Sequence, residues 1–296
     1  MNKEAQSKLM NTGHYENFPV GSIFMPARLR APIRAIYAFA RSADDFADEG
    51  NDSAEFRLGK LAEYHAHLHA LERGETAVHP IFKALAPHIQ EFNLDYSLFH
   101  NLLSAFEQDC TKTRYAHFGE VMDYCKRSAN PIGRLLLKLY GDNDGKHQAW
   151  SDGICSALQL INFLQDVAVD WQKNRIYLPQ DEMTQFGISE RQIAEGRTDA
   201  LWQQFMKGQI ERARRMLQAG APLGHALHGR IGFEMRLIIL GGERILLQLH
   251  ESRGDMFQQR PKLGWKDWLN MLWRATYTRK PRQRASSACG SGSCGH

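Results

Sequence analysis

Almost nowhere in this chain do apolar and polar residues alternate. Apolar residues return instead at i, i+3 and i+4 along nearly its whole length. The first pattern marks a half-buried strand, the second a helix with one buried face, so the spacing predicts an all-α fold. Helices are expected over 31–49, with Pro32 in the first turn where its missing N–H is harmless, and over 53–73, with Ser53 as cap and Gly74 as stop. Further helices follow over 80–92, 95–106 (capped by Asp95), 118–128, 131–140, 144–171, 200–219 and 230–251. Ser189 and Gln192 form the capping-box pattern of a short one. Asp109 and the CTKTRY segment after it read as a loop. Gly241 and Gly242 fall inside a helix, where they cost stability and call for a kink or a close packing contact. No linker divides the chain, so residues 1–275 read as one helical domain. Residues 276–296, basic and then Gly/Ser-rich, have a composition that does not build a core.

Composition narrows the classes. A chain of 296 residues with 43% hydrophobic and 24% charged residues can bury a substantial core. Its negative mean hydropathy, and the absence of any run of about 18 apolar residues, speak against a membrane span. The first residues lack an apolar leader pattern, so a cytoplasmic protein is expected. Five cysteines, an odd number set mostly in helical segments, read as free thiols. A net charge of +4 is too mild for a dedicated nucleic-acid binder. His65, His67 and His69 look like a metal cluster, but residues two apart on a helix point away from each other, so surface and packing roles are expected.

The chemistry-bearing stretch is 162–177, NFLQDVAVDWQKNRIY. Asn162, Asp166 and Asp170 recur at i, i+4 and i+8, which puts three oxygen-bearing side chains on one helix face. The apolar run 154–164 leads into them, so the acids border a core and need a compensating partner. A solvated acidic stripe would read the same way. What distinguishes the two readings is a second pair, Asp44 and Asp48, again one turn apart after an apolar helix. Carboxylates are disfavoured near a helix C-terminus, so this pair calls for a cation. Two such faces side by side could hold Mg²⁺, which takes carboxylate and amide oxygens and keeps positions for phosphate. Arg41, Arg175, Lys126 and Arg127 supply cations for a diphosphate. Ionising an allylic or cyclopropylcarbinyl diphosphate leaves a carbocation that needs a dry, aromatic-lined pocket. Phe18, Phe24, Tyr37, Phe39, Tyr124 and Phe163 are candidates for its walls.

These pieces, in this order, resemble the squalene/phytoene synthase family. The matching residues are His14-Tyr-Glu-Asn17-Phe18, Tyr37-Ala-Phe-Ala-Arg41-Ser-Ala-Asp44-Asp-Phe-Ala-Asp48, Tyr124-Cys125, Gln159-Leu-Ile-Asn162-Phe-Leu-Gln-Asp166-Val-Ala-Val-Asp170 and Asn174-Arg-Ile-Tyr177. The resemblance implies an isoprenoid (terpenoid) synthase fold, a single helical domain around a central cavity. It implies two or three Mg²⁺ ions on Asp44, Asp48, Asn162, Asp166 and Asp170. Asn17, Phe18, Tyr37, Arg41, Gln159, Arg175 and Tyr177 would contact the diphosphate or the rest of the substrate, and Tyr124 would lie near the reacting carbons.

Departures from the family pattern sharpen the expectation. Where family members carry an apolar segment after Tyr-Cys, this chain has Lys126, Arg127, Ser128 and Asn130, which would change the charge and polarity of the cavity wall. A tyrosine expected in the late helix is replaced near Gly241-Gly242, and the C-terminal anchor of eukaryotic squalene synthases is not seen. The overall likeness is to the hopanoid-pathway branch, whose members ionise presqualene diphosphate and let water capture the rearranged cation, with no nicotinamide cofactor. Ser128 or Asn130 would position that water. The alternative activity is head-to-head condensation of two prenyl diphosphates to presqualene diphosphate, squalene or phytoene; a non-enzymatic rival is a lipid-binding adaptor on the same fold. Trp265, Trp268, Leu269, Leu272 and Trp273 form an aromatic face followed by Arg274, Arg279, Lys280, Arg282 and Arg284, which fits either peripheral contact with anionic lipid or ordinary packing. Cys289, Cys294 and His296 in the tail are a weak metal-binding pattern.

Overall fold

The computed structural model describes residues 25–48, 52–258 and 260–277. Asn17, Phe18, Phe24 and the tail from residue 278 lie outside the described residues. The first helix, α1 (Ala27–Asp48), begins four residues before the expected start, because Leu29, Ile33 and Ile36 continue one buried face across Pro32. In α2 (Ala54–Glu72), the Ser53 hydroxyl accepts from the Phe56 N–H at 3.2 Å, and the chain leaves the helix through Gly74 at φ +80°. Next come α3 (Pro80–Phe92) and α4 (Tyr96–Asp109), the latter capped by Asp95. α4 runs three residues further than expected and so carries Asp109, read as a loop residue, into its buried last turn.

α5 (Phe118–Ser128), α6 (Asn130–Tyr140) and the long α7 (Gly145–Gln172), capped by Asp144, follow as the periodicity predicts. Two short strands depart from the purely helical reading. β1 (Arg114–Tyr115) and β2 (Ile176–Pro179) pair in parallel, Arg114 opposite Ile176 and Tyr115 opposite Pro179. Strands this short leave no period to detect. The chain continues through α8 (Gln180–Gln185), α9 (Glu190–Ala194), α10 (Ala200–Gly220), α11 (Leu223–Ala226), α12 (Gly229–Glu251) and α13 (Trp265–Tyr277). Ser189 caps α9 through the Gln192 N–H at 3.3 Å, but the Gln192 amide turns to Arg197 and Asp199, so the box is only half formed.

Glycines set the closest helix contacts. α12 runs unbroken through Gly241 and Gly242, and a Cβ on Gly242 would stand 2.9 Å from Leu217 and 3.1 Å from Leu158. At Gly242 the reason is packing and not a kink. α10 lies along α7, where a Cβ on Gly220 would meet the Trp150 carbonyl oxygen at 2.5 Å. Apolar side chains gather in two large cores. One joins α1 to α3 with most of α4 and part of α6; the other joins α5, α7, α10 and α12. Cys110, Cys125 and Cys155 are unpaired. On α13 the expected apolar face splits. Met271 and Ala275 are buried with Trp268 and Leu272 against Leu237, whereas Trp265, Leu269, Trp273 and Tyr277 are exposed. Among the described residues no helix is long and apolar enough to cross a membrane.

Candidate active site

The two acidic faces belong to α1 and α7, and cations from the turn after α7 tie them together. Asn174, in left-handed backbone at φ +57°, swings the chain from α7 into β2; asparagine tolerates that conformation better than most residues. Arg114 clamps this turn, donating to the Asn174 carbonyl at 2.6 Å and side-chain oxygen at 3.1 Å while pairing with Glu190. The turn aims Lys173 and Arg175 at α1. Lys173 reaches Asp48 at 2.5 Å, and Arg175 bonds the other Asp48 oxygen and also donates to the Asp109 carbonyl at 2.9 Å. On α1, Arg41 pairs with Asp44 at 3.3 Å and Asp45 at 2.7 Å. Asp166 is held in a two-point pair by Arg260, one bond of which is 3.0 Å long.

The electrostatics are those of an acid cluster short of positive charge. Burial, reinforced by the charge of Asp48, pushes the Asp44 carboxyl up to about 7. Burial, then Asp166, pushes Asp170 up to about 8. Asp48 differs: burial raises it, but the Lys173 and Arg175 bonds outweigh that and leave it below the usual carboxylate range. Buried carboxylates forced toward protonation at neutral pH are what a divalent cation relieves, and oxygen donors suit Mg²⁺. The residues present therefore fit that ion. The acids do not converge on one point, since Asp44, Asp48 and Asp166 each lean on an arginine or lysine.

Beside the acids stands an aromatic wall built on β1, β2, α5 and α7. Phe163 and Tyr177 stack with centroids 3.8 Å apart and planes 6° from parallel. Tyr124 lies 5.9 Å from Phe163 and 5.7 Å from Tyr177, and Tyr115 stacks on Tyr177 at 5.3 Å. Asp109 anchors the wall: Tyr124 donates to it at 2.6 Å and Tyr177 at 3.2 Å. Burial pushes the Asp109 carboxyl up to about 6, with the Tyr124 bond holding it from rising further. Phe118, Val121, Leu160, Phe163, Leu164 and Tyr177 line a partly open, mostly apolar cavity of about 20 Å³, with Gln209 and Arg212 at its polar side. A drug-sized ligand needs about 300–1,000 Å³, so a long prenyl chain enters only if these side chains part.

The remaining sequence candidates are distributed unevenly. Tyr37 and Gln159 are half-buried on α1 and α7, and Asn162 is exposed. Lys126 is exposed on α5, two positions and so about 200° around from Tyr124. Arg127 is committed elsewhere, donating to Ser104, Gln108 and Asp123. Neither cation is placed to change the cavity wall as expected. Asn130 accepts from Ser156 at 2.8 Å. Ser128, one turn from Tyr124 on the same face, has a buried hydroxyl with no hydrogen-bond partner among the described residues. Phe39 belongs to the first core, edge-on to Phe82 and Phe99, and not to the wall. Sequence reasoning passed over Asp109, Lys173 and Arg260. Lys173 stood within the acidic stretch and was legible there; Asp109 was hidden by a helix end misplaced by three residues; Arg260, 94 residues from Asp166, left no local signal.

Comparison with known proteins fits this architecture. A family model described as squalene/phytoene synthase matches residues 11–267. The chain is 35% identical over 268 residues to hydroxysqualene synthase of Rhodopseudomonas palustris, covering 88% of this chain and 89% of that protein. It is 28% identical over 260 residues to phytoene synthase of Arthrospira platensis, covering 83% of each. Among solved structures, squalene synthase HpnC from Alicyclobacillus acidocaldarius superposes with a TM-score of 0.77 at 34% identity, over 84% of this chain and 93% of that one. A dehydrosqualene synthase at 19% identity, also with a TM-score of 0.77, shares the all-helical isoprenoid synthase fold. With its fold, and a family match that spans most of its length, the chain belongs to the squalene/phytoene synthase family.

Proposed function

We propose that this enzyme is a hydroxysqualene synthase, converting presqualene diphosphate and water to hydroxysqualene and diphosphate. The observation that carries the reading is the juxtaposition of two acidic helix faces, bridged by Lys173 and Arg175, with the Phe163–Tyr177 stack. Bound Mg²⁺, held by Asp44, Asp48, Asp166 and Asp170 with Asn162 at the rim, would neutralise the charge that develops on the leaving diphosphate. Lys173, Arg175, Arg41 and Arg260, now paired with those carboxylates, are in reach to grip phosphate oxygens. Phe163, which lines the cavity, can turn the face opposite Tyr177 to a passing carbocation, and the stack behind it excludes bulk water. Tyr124, fixed by Asp109, keeps its oxygen beside that stack. We assign the capturing water to the Ser128 hydroxyl, which is buried and without a hydrogen-bond partner among the described residues, one turn from Tyr124. The relatives named hydroxysqualene synthase, at 32–35% identity, support this outcome over condensation.

The test is incubation of the purified enzyme with Mg²⁺ and either presqualene diphosphate or farnesyl diphosphate, with the lipid products resolved by mass. Hydroxysqualene from presqualene diphosphate alone is expected. Presqualene diphosphate formed from farnesyl diphosphate, squalene formed from it once NADPH is added, or phytoene formed from geranylgeranyl diphosphate would replace this reading with the prenyltransferase one. Substrate and product are both long apolar molecules that partition into bilayers. Exposed Trp265, Leu269, Trp273 and Tyr277, with a basic segment following in sequence, support peripheral docking of α13 on anionic membrane.

A further inference from the structure

A second cluster, with different donor chemistry, lies on the solvent side of α2 and α4. Positions two apart on α2 point away from each other, which separates His67 from His65 and His69. The pair that matters is His65 and His69, one turn apart, and the third member comes from another helix. His100 of α4 stacks on both, with centroids 4.9 and 4.5 Å away. Glu72, three residues beyond His69, meets His69 Nδ1 at 2.8 Å. Among the described residues only His69, Glu72 and His100 form a group of three or more His, Cys, Asp or Glu whose ligand atoms all lie within 4.8 Å of one another.

The protons of this cluster do not cover every contact. His65 and His100 face each other through Nδ1 at 2.6 Å, so one must donate and the other accept. Each ring also has a carboxylate beyond it: His65 Nε2 lies 3.4 Å from Glu107 and His100 Nε2 lies 3.3 Å from Glu72. With both rings neutral, one of these two Nε2 atoms carries no proton toward its carboxylate. His100 Nε2 is buried and lacks hydrogen-bond geometry to its carboxylate neighbour. A metal cation at that point would take the lone pairs of both. We propose that His69 Nδ1, His100 Nε2 and the Glu72 carboxylate bind a divalent transition metal of the zinc type, with Glu107 and His65 orienting His100 from behind.

The donor set decides the class of ion. Two imidazoles and one carboxylate suit Zn²⁺ and its neighbours, whereas Mg²⁺ takes oxygen ligands. Three protein ligands leave a fourth position for water. Tetrahedral zinc at its usual bond lengths of about 2.0–2.1 Å separates ligand atoms by roughly 3.3 Å, close to the spacings already present. A carboxylate–imidazole chain behind a ligating histidine is the usual outer support of such a site. A surface groove of about 880 Å³, walled by Glu72, Tyr96, His100 and Asn101 among others, gives the ion a way in. The site would brace α4, whose last residue is Asp109.

The test uses the full chain with Cys289→Ser, Cys294→Ser and His296→Ala, so that the tail cannot contribute ligands. After chelator treatment it is titrated with ZnCl₂ by calorimetry in excess Mg²⁺, and melted with and without zinc. One Zn²⁺ per chain and a raised Tm are expected. His69→Gln, at an exposed position that does not threaten the core, and His100→Gln should abolish both effects. His65→Ala should weaken affinity about 10–100-fold, and Asp166→Asn should leave zinc binding unchanged. No stoichiometric binding by the parent, binding that survives His69→Gln and His100→Gln, or binding lost in Asp166→Asn would each overturn the proposal.

Discussion

Tyr124→Phe deletes one oxygen from a buried network and nothing else, so its cost can be worked out. The hydroxyl donates to Asp109 at 2.6 Å, and Tyr177 supplies a second bond at 3.2 Å. Because burial lifts the Asp109 carboxyl from 3.8 to about 6, the folded protein holds this proton more tightly than the unfolded chain. Asp109 therefore costs stability progressively as pH rises from about 4 to 6, and fully above that; the gap corresponds to about 3 kcal/mol. The Tyr124 bond limits this cost, because it favours the ionised form. A bond to an ionised acceptor contributes about 1.5–3 kcal/mol and one to a neutral group about 0.5–1.5 kcal/mol. Urea denaturation of metal-free protein should show Tyr124→Phe losing about 1.5–3 kcal/mol at pH 8, and roughly half as much at pH 5, where Asp109 is already largely protonated. Equal losses at the two pH values would refute the assignment of Asp109 as an ionised acceptor.

Other outcomes follow from the same geometry. Asp166→Ala should reduce diphosphate release to background while circular dichroism stays native; retained turnover would remove Asp166 from the metal-holding set. Since burial pushes the Asp44 and Asp170 carboxyls up to about 7 and about 8, Mg²⁺ must displace protons below those values. Its affinity, followed by calorimetry, should rise from pH 6 to about 8.5 and then level; a flat profile would contradict the raised carboxyls. Gly220→Val should cost at least the about 1–3 kcal/mol of an overpacked core, because its Cβ meets the Trp150 carbonyl, whereas Gly59→Ala, in open space inside α2, should raise Tm through a helix-propensity gain of about 0.5–1 kcal/mol. Leu269→Glu with Trp273→Glu should abolish co-sedimentation with anionic vesicles without changing Tm, and vesicle binding unaffected by the pair would exclude α13 as the docking face.

How far the sequence carried depends on the range of each interaction. Helices were legible because their period and caps are local: Ser53, Asp95 and Asp144 sit where their side-chain oxygens meet the second or third helical N–H. The acidic faces were legible for the same reason, since i and i+4 define a helix side. Partners brought from afar were not. Nothing near Arg260 points to Asp166, and nothing near Arg114 announces that it clamps Asn174. Lys126 and Arg127 misled because chain proximity to Tyr124 was taken for shared direction, whereas one faces solvent and the other is held by α4 side chains. The His65–His100 contact joins two helices, and no single-helix argument could reach it.

The two cores have a consequence for how the molecule yields. Each is a close-packed apolar mass that resists deformation, but at the mouth of the site they meet through charge: Asp48 of α1 against Lys173 and Arg175 beyond α7. Ion pairs weaken with ionic strength while apolar contacts do not. Elsewhere α4 and α6 contribute side chains to both cores and stitch them together, so added salt should loosen only this mouth and leave the global melt in place. A guest far larger than the about 20 Å³ beside Phe118 and Tyr177 is therefore admitted by easing that mouth, with the cores themselves left joined.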